Sequence, residues 1–217
     1  MVAVLLLSAG AAVGALKYSI KPEKPEYLLG LPVTLVLEIH NPDRQGATAE
    51  TGHNGYGNFR FTAAQPGAAA PLPHLPKELG HSRVLDTFVA SYATVRTVYI
   101  LDEWLSFKTP GKHQVNFSIV TPTGDTVWSD TFEVNIVDPT EEQLAAVRER
   151  YQQLYDQPGD PFPDTFGLPF YSYGVVNSDR AEVRQMPYVH NPALKDIMTK
   201  LARKGYPGAE VALKNMP

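Results

Sequence analysis

The residues of this 217-residue chain whose types could do chemistry are six histidines, two carboxylate pairs and one dense run of aromatics. The histidines are His40, His53, His74, His81, His113 and His190. None stands in the H-E-x-x-H or H-x-H spacing that brings two imidazoles onto one face of an element as zinc ligands. His53, His74 and His81 fall in stretches without strand or helix periodicity and could converge in space, but loop histidines are usually solvated, so no metal centre is expected. Asp102-Glu103, next to Trp104, puts two carboxylates at a strand end, where a turn or an inter-strand ion pair explains them as well as acid–base chemistry does. Asp156-Gln157-Pro158-Gly159-Asp160 offers oxygen ligands in a turn but lacks the acidic spacing of an EF-hand loop. Asn116-Phe117-Ser118 matches the N-glycosylation pattern inside an expected strand. There is no Gly-x-Ser-x-Gly elbow and no phosphate-cradling glycine loop. The chain has no cysteine, which excludes thiol nucleophiles, disulfides, cysteine-ligated zinc and iron–sulfur clusters. A non-catalytic protein without cofactor is the expectation.

The aromatic run is the least ordinary feature. Tyr151, Tyr155, Phe162, Phe166, Phe170, Tyr171 and Tyr173 crowd into 23 residues, out of 22 aromatics in the whole chain. Two readings stand side by side. The rings are mortar between two structural units, buried on both sides, or they form an interaction surface for a protein or a glycan. The prolines at 158, 161, 163 and 169 suit a chain laid extended across another surface, which favours mortar.

These residues need elements to position them. The chain is long enough for one or two domains with a buried core, and its 19 prolines and 16 glycines suit strands joined by turns better than a helical bundle. A formal net charge of −4 argues against a partner that is nucleic acid or an anionic membrane. Residues 2–7 are an uninterrupted apolar run followed by small residues up to Ala15, the pattern of a secretory signal peptide, though no Lys or Arg precedes the run. The segment is shorter than the roughly 20 residues a membrane-spanning helix needs. The expected location is therefore exported, with no membrane insertion after signal cleavage.

From residue 16 onward the period becomes two. Strands are expected at 16–20, 32–41, 58–62, 95–101, 114–120 and 131–137; in the last, Phe132, Val134 and Ile136 share one face. Turns at Asn41-Pro42-Asp43, Thr109-Pro110-Gly111 and Pro122-Thr123-Gly124-Asp125 separate them. Residues 45–56 and 63–80 read as long irregular loops. This spacing, without an intervening helical pattern, predicts a mostly-β fold, an antiparallel β-sandwich over 16–138.

Residues 26–33, Glu-Tyr-Leu-Leu-Gly-Leu-Pro-Val, lead into a strand that ends in Asn41. This resembles the opening of bacterial extracellular immunoglobulin-like modules, where a Tyr-x-x-Gly-Glu-Pro-Val turn leads into such a strand; Leu31 stands where those modules often carry Glu. Phe107 to Val115, with Pro110-Gly111, resembles their penultimate hairpin. The resemblance covers about 16–138. It implies an immunoglobulin-like fold and an envelope-associated interaction module, and it names no ligand, since such folds host many roles.

The remainder, 139–217, reads as a short helical appendage. Thr140 caps a helix, Glu141 and Glu142 sit at its positive end, and Gln143 has the capping-box spacing. Leu144, Val147, Tyr151, Leu154 and Tyr155 then recur at helical spacing to Asp156. After a proline-rich connector at 157–169, helices are expected at 178–185, 193–204 and 208–215, with Gly205 as a stop. The segment from Tyr188 to Leu213 resembles one HEAT-like helical repeat, and one repeat cannot bury its own faces. The basic excess from Asp179 onward, seven Lys/Arg against four Asp/Glu, reads as a solvated face. Together these readings describe an exported, non-catalytic binding or spacer module of the cell envelope. The rivals are a protease-inhibitor-like module using loops 45–56 and 63–80, and the accessory domain of an envelope enzyme.

Overall fold

The computed structural model describes residues 16–49, 51, 58–63, 69–70, 87–121, 123–158 and 178–217. The expected signal segment, His53, His74, His81 and the aromatics from Phe162 to Tyr173 lie outside the described residues.

Eleven strands are described: β1 (Lys17–Pro22), β2 (Tyr27–Leu28), β3 (Thr34–His40), β4 (Ala47–Ala49), β5 (Phe59–Ala63), β6 (Ala69–Ala70), β7 (Thr87–Val89), β8 (Thr94–Ile100), β9 (Ser106–Phe107), β10 (Gly111–Val120) and β11 (Thr126–Val137). One sheet has the order β1-β3-β8 and is antiparallel throughout. The other has the order β2-β11-β10-β5 and is mixed, because β2 lies parallel to β11 while the remaining pairs are antiparallel. The wholly antiparallel expectation is corrected there: the chain after Pro25 drops a two-residue strand beside the far end of β11, and Leu29 extends it by donating to the Val137 carbonyl at 2.8 Å. The two loops expected to be irregular also carry short ladders, β4 with β7 and β6 with β9. A ladder of two or three residues has no period for a sequence to display.

The strands form because their apolar residues bury, alternately in β10 and the second half of β11 and on both faces in β3, where Thr34 to Leu37 are all buried. Leu35, Leu37 and Ile39 of β3, Val115, Phe117 and Ile119 of β10, and Phe132, Val134 and Ile136 of β11 meet in one core supplied by both sheets. At its centre Phe59 packs edge-on to Phe117 at 5.0 Å and to Tyr99 at 5.1 Å, and Phe61 lies 4.9 Å from Trp104, contacts that add to the area buried by each ring. Tyr18 of β1 stacks on Trp128 of β11 at 5.4 Å and ties one sheet to the other. Asn41 shapes the turn after β3: its Oδ1 accepts from the Asp43 N–H at 3.0 Å, and its buried amide donates to the carbonyls of Gln45 and Val89.

Four helices follow: α1 (Glu141–Asp156), α2 (Ser178–Gln185), α3 (Lys195–Arg203) and α4 (Pro207–Asn215). The Thr140 hydroxyl accepts from the Gln143 N–H at 3.2 Å and the Gln143 side chain accepts from the Thr140 N–H at 2.8 Å, so the expected capping box is formed. The helix expected at 193–204 starts instead as a 3-10 turn, Pro192–Leu194, with the Asn191 side chain capping Ala193. Gly205 ends α3 at φ +100°, a conformation costly for any residue with a Cβ. Leu144, Val147, Tyr151 and Leu154 of α1 meet Ile197, Met198 and Leu201 of α3 and Ala209 and Ala212 of α4 in a second core. Among the described residues no helix is long and apolar enough to cross a membrane.

Candidate functional site

The two cores meet at a junction built from the bend after β2 and the turn before α3. Gly30 has φ +80°, and a Cβ there would stand 2.9 Å from Cβ of Asn191. Only glycine lets the two chains come this close. The backbone N–H groups of His190 and Asn191 both donate to the Gly30 carbonyl, at 3.0 and 3.1 Å, and the Asn191 amide donates to the Leu29 carbonyl at 3.0 Å. The Tyr188 hydroxyl donates to Glu103 at 3.2 Å. Leu28 and Leu31 of the sheet unit are half-buried against the helical core, and Ile100 packs on Tyr188. The helical unit is thus docked on the sheet unit chiefly through main-chain acceptors.

Two ionisable groups lie inside this junction. Asp102 sits in the 3-10 turn Leu101–Glu103 that ends β8, and is 1% exposed. Its Oδ2 accepts the Val33 N–H at 2.6 Å while the Leu101 N–H donates to the Val33 carbonyl at 2.7 Å, stitching the end of β8 to the start of β3. Burial pushes its carboxyl up to about 8; Glu103 adds to the rise, and the Val33 N–H and Lys108 oppose it. Of the two readings for Asp102-Glu103, a turn or an inter-strand ion pair, the structure has a turn, with Asp102 as an internal fastener. His190 turns Nδ1 to the Tyr188 carbonyl at 3.0 Å and also faces the carbonyl of Phe107, so its ring bridges the helical and sheet units. Burial holds its imidazole below the ordinary histidine value; Lys108 adds to that, and the two carbonyls oppose it. Asp102 and His190 line the same tight interstice, with Leu31 and Ile136.

Beside this interstice an open groove of about 370 Å³ runs along the junction. Leu29, Phe107 and Lys108 form one wall, and His190, Asn215 and Met216 form the other. Pro192 and Pro217 also line it, and among the described residues no Asp or Glu side chain does. Lys108 Nζ lies 3.4 Å from the Ser106 hydroxyl and has no acidic partner within ion-pair distance among the described residues. The Asn215 amide nitrogen is sealed from solvent and has no hydrogen-bond partner among the described residues. The exposed Lys108 beside the apolar side chains of Leu29 and Met216 makes a surface on which a ligand can rest.

Of the aromatic run, Tyr151 is 5% exposed inside the helical core, where burial and the nearby Glu182 raise its phenol. It is a core residue and not part of an exposed surface. Tyr155 is half-buried on the same helix, with Lys204 Nζ 5.4 Å above its ring. The junction among the described residues is held by Gly30, Tyr188, His190 and Asn191 and not by these two rings. His40 contacts the Thr94 hydroxyl at 3.1 Å; His113 is buried against Phe107 and turns Nε2 to the Thr109 carbonyl at 2.9 Å. Asn116 lies in β10, accepting from the Thr131 hydroxyl at 3.0 Å, and Asp156 accepts from Gln152 at 2.8 Å. Among the described residues no three of His, Asp and Glu converge as a metal site. Sequence reasoning missed Gly30, Lys108, Asn191 and Asn215 and gave His190 no role; the signals available were the glycine at the β2 bend and the capping Asn191-Pro192 pair. Compared with protein-family models and with curated proteins, the chain matches none.

Proposed function

We propose that the chain is an exported, non-catalytic binding module of the bacterial cell envelope, with an immunoglobulin-like sandwich over 16–138, a HEAT-like pair in its helical tail, and a ligand or partner seated at their junction. The observation that carries the reading is the groove at a hydrogen-bonded joint. Its walls belong to different units, and Gly30, Asn191 and Leu29 fix them in place before anything binds. A preformed concavity lowers the ordering cost of association. The common core of the two sheets supports the sandwich, and the mutual packing of α3 and α4 across the Gly205 turn supports the repeat-like pair. Export rests on the apolar and small residues of 2–15.

The test is site-directed photo-crosslinking in envelope extract of the source cells. One photoreactive residue replaces Pro192 at the groove; another replaces the exposed Val127 near the start of β11, about 30 Å away along that strand. A specific adduct from position 192 and none from 127 is the expected result. Adducts of equal yield from both positions, or none from either, overturn the reading.

A second reading, the loop-borne inhibitor-like module, has one observation in its favour. Outside loops 45–56 and 63–80 but on the strand β7 that pairs with β4 of the first, Phe88 is 65% exposed, and nearby Tyr92 is 62% exposed with φ +55°, an uncommon conformation for a residue with a Cβ. Crosslinks from position 88 to a protease would favour it.

A further inference from the structure

We propose that the joint between the sheet unit and the helical unit is a pH-operated latch with the His190 ring as its titrating part: shut near neutral pH, it opens in mild acid and parts the walls of the groove. The inference adds regulation to the binding-module reading, and rests on that reading only for what the opening releases.

The latch sits where the units can separate. A single covalent passage, at Asp138-Pro139, leads from β11 to α1, so the rest of the hold between the units is non-covalent. His190 belongs to that hold twice over. Its N–H donates to the Gly30 carbonyl at 3.0 Å, and its half-buried side chain lies between the Tyr188 carbonyl of the helical unit and the Phe107 carbonyl of the sheet unit. A neutral imidazole has one N–H and serves one of these acceptors at a time. An imidazolium would serve both, but burial and Lys108 work against the charge and prevail over the two carbonyls.

Among the described residues no carboxylate neutralises a proton on the ring. Asp102 lines the same interstice, yet burial pushes its carboxyl up to about 8, so it is neutral in mild acid, and its Oδ2 is engaged by the Val33 N–H. Glu103 accepts from the Tyr188 hydroxyl at 3.2 Å. Lys108 stands on the sheet side of the groove and adds a like charge. The Pro217 carboxylate also lines the groove but does not raise the affinity of the ring for a proton. Gly30, Leu31 and Asn215 bring no charge. A protonated ring is therefore better placed in water than in the joint. As pH falls below 6.5 the open state takes the proton first, each further unit favours opening by up to about tenfold, and the gain ends where the docked ring titrates.

Hydrogen exchange on the full chain at pH 7 and 5, corrected for the intrinsic pH dependence of amide exchange, reads the latch. The amides of His190 and Asn191, which both bond Gly30, should exchange faster than those of Phe117 in β10 and Leu201 in α3, since the joint opens without unfolding either core. Their protection should fall by at least about threefold between pH 7 and 5, within a ceiling of roughly 30-fold that the interval below 6.5 allows. His190→Gln keeps the main-chain bond and one side-chain donor, and should flatten that fall. Lys108→Met, at an exposed position, should fold as the parent does and lessen it. Unchanged protection in the parent, a fall that persists in His190→Gln, or joint amides that exchange only as fast as Phe117 and Leu201 overturn the proposal. Should His190→Gln not fold, Lys108→Met decides, and an undiminished fall in it overturns the latch. The crosslink from position 192 keeps the two readings apart, and its yield should drop with the protection at pH 5. An adduct retained at pH 5 while the joint opens removes the release and leaves the binding-module reading standing. No adduct at pH 7 removes that reading, and exchange still decides the latch.

Discussion

Burial pulls Asp102 and His190 toward their neutral forms, and the two shifts act on stability in opposite pH directions. Asp102 has its folded carboxyl raised to about 8 from an ordinary 3.8, so the folded state holds its proton more tightly than the unfolded chain does. Its contribution is fully present below about pH 4 and is lost as pH rises through 8. Between pH 6.5 and 8 the loss should be on the order of 1–2 kcal/mol, since each pH unit below the folded value counts for roughly a tenfold change. Asp102→Asn keeps an oxygen for the Val33 N–H and removes the titration, so its urea midpoint should stay flat over that interval while the parent's falls. Parallel curves for the two proteins would show that Asp102 does not titrate there. His190 is lowered from 6.5, so its contribution is present above that value and is lost as pH falls toward the folded one. His190→Gln retains a donor for one carbonyl and should lose less stability than the parent between pH 7 and 5, read by the same midpoints; an equal loss would remove His190 from the account. Neither shift was legible in the sequence, where Asp102 is one of two adjacent acids and His190 one of six histidines. Each depends on burial by residues far away in the chain.

At the scale of elements, legibility followed length. The six longer strands and the first helix announced themselves because five or more residues display a period, and because Thr140 and Gln143 stand at the spacing a capping box needs. Strands β2, β4, β6, β7 and β9 did not, being two or three residues each. The basic excess of the tail reads as a solvated face in sequence, yet part of it fastens helices together. Lys204 Nζ reaches the carbonyls of Tyr155 and Gln157 at the end of α1, and from the other side Arg148 of α1 donates to the Ala193 carbonyl at 2.8 Å. A cation at that end also meets the negative pole of the helix. Thr140→Ala removes a hydroxyl acceptor from the first turn of α1 and should cost about 1 kcal/mol. Lys204→Met removes the donor at the other end and should cost a similar amount, roughly 0.5–1.5 kcal/mol. The two sites sit at opposite ends of α1, so the double variant should lose their sum. Thermal unfolding followed by circular dichroism at 222 nm checks both; a Lys204→Met curve superposing on the parent's would show that the lysine is held by the carbonyls without stabilising them.

Whether the whole molecule behaves as one body depends on the joint at Gly30. Among the described residues two large hydrophobic cores form, yet Leu28 and Leu31 of the sheet unit are half-buried in the helical one and three hydrogen bonds converge on the carbonyls of Leu29 and Gly30. This coupling was hidden from the sequence because main-chain carbonyls are common to every residue and leave no compositional trace; Gly30 itself read only as part of a turn. The chain supplies independent probes of the two units, since its two tryptophans, Trp104 and Trp128, both pack against the sheet core while the helices dominate the 222 nm signal. In the parent protein the fluorescence and helical transitions in urea should coincide, as they do when unfolding is cooperative. Gly30→Val places a β-branched residue at φ +80° and its Cβ 2.9 Å from Cβ of Asn191, so the joint has to open. The left-handed backbone alone costs about 1–2 kcal/mol, before the contact is relieved. Once the joint is open, the helical unit loses the apolar cover of Leu28 and Leu31 and should unfold first, its 222 nm midpoint falling by on the order of 1 M urea below the fluorescence midpoint. Coincident transitions at the parent's midpoints would mean that the joint contributes no coupling and that the groove walls are free to separate.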